Sequence, residues 1–186
     1  DALYGGAGAD IGGGIALSVD LAPDPAIAPD GLMGYRARRN TGLVDVDAPG
    51  SCRTADYWEP IRAGDMSGPR MILDPDQFYI LASKEAVHVP PSHAAELVPF
   101  NPLVGEFRVH YAGFMDPGFG HAPAGGTGAR VVLEVRSHKV PFILEDGQIV
   151  GRLVYERLTE RPEMLYGTDL GSHYQAQGLK LSKHFV

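Results

Sequence analysis

Arg130-Val131-Val132-Leu133-Glu134-Val135-Arg136 is a short run of apolar and charged residues with a period of two. In a strand, Val131, Leu133 and Val135 share one face, and Arg130, Val132, Glu134 and Arg136 share the other. The same alternation runs through Ile15, Leu17, Val19 and Leu21, with Ala16, Ser18 and Asp20 between them. Shorter strand signals recur at Gly34–Arg38, Leu43–Val46, Arg70–Leu73, Phe78–Ala82, Val87–Val89, Glu106–Tyr111, Phe142–Leu144 and Ile149–Leu158. Turn residues separate most of them. The 24 Gly and 15 Pro favour many turns over long helices. Ser92–Leu97 is the one helical candidate, with Ser92 as its N-cap. The pattern predicts an all-β domain of sandwich, jelly-roll or barrel type.

Composition narrows the function. The chain has 186 residues, enough for one domain with a sizeable core. A formal charge of -7 argues against a general nucleic-acid or anionic-membrane binder, although a nucleotide pocket can be locally basic. No run approaches the roughly 20 apolar residues of a membrane helix. The lone Cys52 forbids an intramolecular disulfide and fits a reducing, cytoplasmic setting. Beginning at Asp1 rather than Met, the chain reads as a piece of a longer protein.

Residues 1–160 read as the β domain, opening on a Gly-rich loop over residues 1–14. Its glycines are a weak phosphate-cradle signal, because no Lys-Ser/Thr follows and no strand precedes. Asp116-Pro-Gly-Phe-Gly120 is a tight turn leaving a strand, and Glu145-Asp-Gly-Gln148 carries a hairpin signal between two apolar runs. Residues 161–186 differ in kind. They have little apolar periodicity but hold Tyr166, His173, Tyr174, Gln177, Lys180 and His184, as a tail that folds over a ligand would.

Glu134 has two readings on pattern alone. It is either a solvated glutamate in a cross-strand ion pair or a carboxylate lining a pocket near arginines, and periodicity does not choose. The histidines His88, His93, His110, His121 and His138 fall one per element with no His-x-His, which speaks against a cupin-like metal site. Zinc deaminases need a His/Cys/Cys or three-Cys site beside a separate Glu, and one cysteine cannot supply it. Cys52, in the Gly50-Ser-Cys-Arg53 loop, has no sign of a nucleophile's setting.

Four motifs in order resemble the dCTP deaminases of the trimeric dUTPase superfamily. They are Asp116-Pro-Gly-Phe-Gly, Val131-Val-Leu-Glu134, Gly147-Gln-Ile-Val-Gly-Arg-Leu-Val-Tyr-Glu-Arg-Leu158, and Tyr166 followed by His173-Tyr174-x-x-Gln177. Met71–Leu81 is similar to the strand pair before the family's core, and Leu17-Ser-Val-Asp-Leu21 to its early strand. The resemblance implies a distorted jelly roll of the dUTPase-like type, assembled as a trimer or pseudo-trimer with sites between neighbouring units.

It also implies roles. Glu134 falls on the catalytic glutamate, which takes a proton from water as that water attacks C4 of cytosine and returns it to the ring and leaving ammonia. The products are dUTP and ammonia. Tyr111, Ala112 and Gly113 would line the cytosine with backbone groups. Asp116 would bond the deoxyribose 3′-hydroxyl, and Phe119 would fill the aromatic position. Tyr166, His173 and Gln177 would close over the triphosphate. Mg²⁺ would ride on that triphosphate, with no zinc at the base.

The departures carry their own expectation. Where the family has a Gly-Arg-Ser-Ser-x-x-Arg phosphate segment, this chain has Val98-Pro-Phe-Asn-Pro-Leu103. Phe114 stands where an Arg is expected, and His173 where a Lys is. Such a chain resembles the C-terminal copy of a double-length, fused-repeat dCTP deaminase, whose other copy would supply the Arg/Ser contacts. Three alternatives stay open: a dUTP pyrophosphatase, a catalytically incomplete structural or regulatory copy, and a lectin-like jelly roll.

Overall fold

The computed structural model describes residues 13–65, 68–99, 107–110, 113–122, 128–137, 139–167, 172 and 178–186. The architecture is all-β. The strands are β1 (Ile15–Ser18), β2 (Leu32–Ala37), β3 (Trp58–Arg62), β4 (Arg70–Leu73), β5 (Phe78–Val87) and β6 (His93–Pro99). They continue with β7 (Phe107–His110), β8 (Phe114–Met115), β9 (Ala129–Ser137), β10 (Phe142–Glu145) and β11 (Ile149–Arg157). The described helices include one α turn, Thr54–Tyr57, and a 3₁₀ turn, Ala63–Asp65. No described helix is long and apolar enough to cross a membrane.

A five-stranded sheet runs β3-β2-β5-β9-β7, a four-stranded sheet β1-β11-β6-β8, and β10 pairs with β4. The core lies between them. From β9 come Val131, Leu133 and Val135, from β5 Tyr79 and Leu81, and from the β1 side Leu17 and Val19, each at most 1 % exposed. The period-two reading of β9 therefore holds along its length. The separate signals at Phe78–Ala82 and Val87 belong to one strand, β5, whose register against β9 shifts between Ala82 and Ala86. Such a bulge lets a long strand bend while keeping its apolar face inward.

Three expectations fail, two through long-range pairing and one through a local turn. Ser92–Leu97 is no helix, because His93–Pro99 pairs residue by residue with β11, from Arg157 opposite His93 to Gly151 opposite Pro99. Ser92 Oγ lies 3.0 Å from His93 Nδ1 instead of capping a helix. Leu43–Val46 is no strand either. Leu43 is 97 % exposed, and the Asp45 carboxylate accepts from the Asp47 amide at 3.0 Å, a local turn that competes with strand pairing. Glu145–Gln148 does form a turn, with Gln148 N donating to Glu145 O at 3.1 Å, but β10 and β11 enter different sheets. That turn is fastened to the stretch after β1, since Gly147 N donates to Val19 O at 2.9 Å and Leu21 N to Asp146 Oδ1 at 2.9 Å.

Candidate active site

Glu134 lies near the middle of β9, opposite Ile80 on β5 and His110 on β7. Its side chain and that of Ile80 line a cavity of about 420 Å³. This is within the roughly 300–1,000 Å³ of small-molecule sites. Asp116, Phe119 and Tyr166 line the same cavity, so four of the residues singled out in the sequence converge there. Removal from water pushes the Glu134 carboxyl above the ordinary carboxylate range.

The flanking arginines are engaged elsewhere. Arg130 forms an ion pair with Asp20, and the Arg136 guanidinium lies 5.7 Å from the centre of the Phe78 ring. Among the described residues Glu134 takes part in no ion pair. The cross-strand ion pair of the solvated reading is thus not found among them, and the pocket-lining position is.

The Asp116–Gly120 turn earns its glycines. Gly118 has φ of 102°, and a Cβ there would sit 2.6 Å from the Tyr166 carbonyl oxygen. That close approach allows Tyr166 N to donate to Pro117 O at 2.9 Å and sets the Tyr166 ring 5.8 Å from Phe119. The turn is held from outside as well. Gly118 N donates to Val89 O at 3.0 Å and Val89 N to Phe119 O at 2.8 Å. Gly113 anchors the chain just upstream, its carbonyl accepting from Leu97 N at 2.7 Å, although it does not line the cavity. Tyr111, Ala112, His173 and Gln177 lie outside the described residues. Val98 is described and contributes no phosphate-binding group, and Phe114 is 79 % exposed at the cavity rim.

Sequence reasoning missed one wall. Trp58 and, from the end of the chain, Leu181, Ser182 and Phe185 line the cavity, together with Lys180. Residues 183–186 are fastened beside residues 50–54 by backbone bonds. Gly50 N donates to Lys183 O (3.0 Å), Cys52 N to His184 O (3.0 Å), Val186 N to Cys52 O (2.9 Å) and Thr54 N to Val186 O (2.8 Å). Phe185 thereby meets Trp58, whose Nε1–H is buried without an acceptor among the described residues. The only local signal was aromatic residues in an otherwise polar tail. The site offers an apolar, partly closed chamber holding one carboxylate with raised proton affinity, a second carboxylate at Asp116, and an ammonium at Lys180.

Comparison with known proteins identifies the family. Residues 2–185 match the family described as 2′-deoxycytidine 5′-triphosphate deaminase (DCD), C-terminal domain. A protein of Halobacterium salinarum named "dCTP deaminase, dUMP-forming" is 35% identical over 114 residues, 59% of this chain and 54% of that protein. One of the same name from Beutenbergia cavernae is 33% identical over 111 residues, 57% of this chain and 53% of its own. The match spans about half the length of these curated relatives. The crystal structure of 2′-deoxycytidine 5′-triphosphate deaminase from Agrobacterium tumefaciens is 60% identical, with a TM-score of 0.69, covering 80% of this chain and 42% of that one. With the family description covering nearly its whole length, the chain belongs to the C-terminal domain family of the 2′-deoxycytidine 5′-triphosphate deaminases.

Proposed function

We propose that the protein takes part in hydrolytic deamination of dCTP, with Glu134 as the general acid and base. The observation that carries this reading is a carboxyl of raised proton affinity facing an apolar chamber. A group of that kind holds a proton more readily than an ordinary carboxylate, which suits one that must take a proton and give it back. Water gives a proton to Glu134 as its oxygen bonds to C4. Glu134 passes that proton to ring N3 and then carries the second one, from the hydroxyl left on C4, to the amine; the C4–N bond breaks, the C4 carbonyl forms, and dUTP and ammonia result.

The other residues take supporting parts in this reading. Asp116 holds the 3′-hydroxyl, and Phe119 walls the base. The backbone of Tyr111, Ala112 and Gly113 reads the cytosine edge. Tyr166, His173 and Gln177 close over the triphosphate, which arrives as its Mg²⁺ complex. A second dUTPase-like copy, within a trimeric or pseudo-trimeric assembly, brings the Arg and Ser groups that Val98–Leu103 lacks. The setting is the reducing cytoplasm.

A second reading has one observation in its favour: both curated relatives carry "dUMP-forming" in their names. Here the triphosphate is also cleaved and dUMP is released. Incubating the full-length protein with dCTP and separating the products decides between them. Accumulating dUTP supports deamination alone, and dUMP with pyrophosphate supports the bifunctional reading. Glu134→Gln should cut ammonia release about 10²- to 10⁴-fold. Full activity in that variant overturns the assignment, and an inactive wild type points to the structural or regulatory copy.

A further inference from the structure

His184 is held through both of its ring nitrogens. Nε2 lies 3.0 Å from the Val46 carbonyl oxygen, and Nδ1 lies 3.1 Å from Ser182 Oγ. A carbonyl oxygen only accepts, so Nε2 carries a proton and donates. A neutral imidazole has one donor and one acceptor, which leaves Nδ1 to accept. The Ser182 hydroxyl therefore donates to Nδ1, and its single hydrogen is committed there. Towards any third group Ser182 Oγ can only accept. Among the described residues its own donor is the His184 amide, at a weak 3.5 Å, so acceptor capacity remains. Ser182 lines the cavity that Glu134 faces. Backbone bonds hold the pair in place, with the His184 carbonyl accepting from Cys52 N at 3.0 Å and the Ser182 carbonyl from Phe185 N at 3.1 Å.

Resting on the reading of this cavity as the dCTP site, we propose that Ser182 is a specificity-determining residue. It accepts a hydrogen bond from the 4-amino group of cytosine, with His184 as its positioning residue. Two groups of dCTP are ordinary donors, that amino group and the 3′-hydroxyl. The hydroxyl goes to Asp116 in the same reading, which leaves the amine for Ser182. Uracil carries a carbonyl oxygen at the same position, so an acceptor would face an acceptor. A site built to bond a substrate's N–H rejects the analogue lacking it far more strongly than apolar walls do. Ser182 thus favours substrate over product and helps the deaminated nucleotide leave. Neither Ser182 nor His184 forms or breaks a covalent bond, and the proton chemistry stays with Glu134.

The test is binding without turnover. Calorimetry gives the affinities of dCTP and dUTP for the full-length protein carrying Glu134→Gln, alone and combined with Ser182→Ala or His184→Phe. Ser182→Ala should lower the preference for dCTP over dUTP about 10-fold, mainly by weakening dCTP. His184→Phe frees the hydroxyl to turn and donate, so the preference should fall mainly through tighter dUTP. Equal weakening of both nucleotides, with their ratio kept, is what a purely structural segment gives, and it overturns the inference. Should a variant not fold, the ¹⁵N shifts of the His184 ring in the unaltered protein decide. A neutral ring protonated at Nε2 is expected, and one protonated at Nδ1 overturns the inference. If wild type binds dCTP without deaminating it, the role of Glu134 falls and the affinity ratio still decides Ser182. If neither nucleotide binds, the cavity is not the dCTP site and this inference falls with that reading.

Discussion

Phe185 stands edge-on to Trp58, ring centroids 5.8 Å apart and planes at 87°, and both rings wall the cavity that Glu134 faces. The last residues of the chain are therefore part of the site's construction. The pair is supported on every side: Tyr57 lies 5.5 Å from Phe185, Phe78 lies 6.1 Å from Trp58, and Tyr35 lies 6.5 Å from Trp58.

Phe185→Ala should then loosen both the terminal segment and the chamber. Phe185 is only half-buried, so the expected loss is about 1–3 kcal/mol, below the 3–5 of a fully buried Phe→Ala change. The chain has 1 Trp, and its emission reports the contact directly. Emission should shift to longer wavelength as water reaches the unpartnered Trp58 Nε1–H. Unchanged emission and an unchanged Tm would show that the terminal segment contributes nothing to this wall.

Gly118→Ala tests the seam between the turn and Tyr166. At φ of 102° an L-residue is strained, by about 1–3 kcal/mol, and the new Cβ would stand 2.6 Å from a backbone oxygen that no rotamer can move. The Leu165–Tyr166 segment has to lift, which breaks the Tyr166 N to Pro117 O bond. Thermal unfolding should lose at least about 2 kcal/mol, and amide exchange at Tyr166 should accelerate. A variant that keeps wild-type exchange there would place the strain elsewhere.

How much of this was legible depends on how local each cause is. β9 could be read because its alternation is written into consecutive residues, and Gly118 because only a glycine suits the turn. The turn at Asp146-Gly147 was legible as a turn, but not the sheet each arm would join, since Leu144 and Val150 are both buried and the local pattern is symmetric. His93–Leu97 became strand because β11 offers it a full ladder. For the site, Glu134, Asp116, Phe119 and Tyr166 were found through ordered motifs, whereas Trp58 and Phe185 meet only through the fold. No spacing rule links two aromatic residues so far apart in sequence.

The raised proton affinity of Glu134 carries a stability cost with a definite sign. A carboxyl whose folded pKa exceeds its unfolded one favours the fold only while protonated, and that contribution is lost as pH rises through the folded value. Glu134→Gln keeps the shape and removes the charge. At about pH 7.5 the variant should therefore be at least as stable as wild type. The gap should close towards about pH 4.3, the ordinary Glu range. Tm measured across that window checks it. A less stable variant at the upper end would mean that the carboxylate is satisfied by partners outside the described residues.

The Arg130–Asp20 ion pair separates stability from chemistry on the same strand. Asp20 is 4 % exposed, and Arg130 leaves the same face of β9 as Glu134. Asp20→Asn strands a guanidinium in a partly buried place, and buried pairs broken on one side typically cost about 3–5 kcal/mol. Because Arg130 keeps 17 % exposure, water can recover part of that, and a loss of about 2–3 kcal/mol is expected. Arg130→Met alone should cost a similar amount by leaving Asp20 unpaired. The double variant should cost less than the sum of the two, because no charge is then left without a partner. A double-variant cycle by urea unfolding measures the coupling, and strictly additive losses would show that the two charges are independently satisfied.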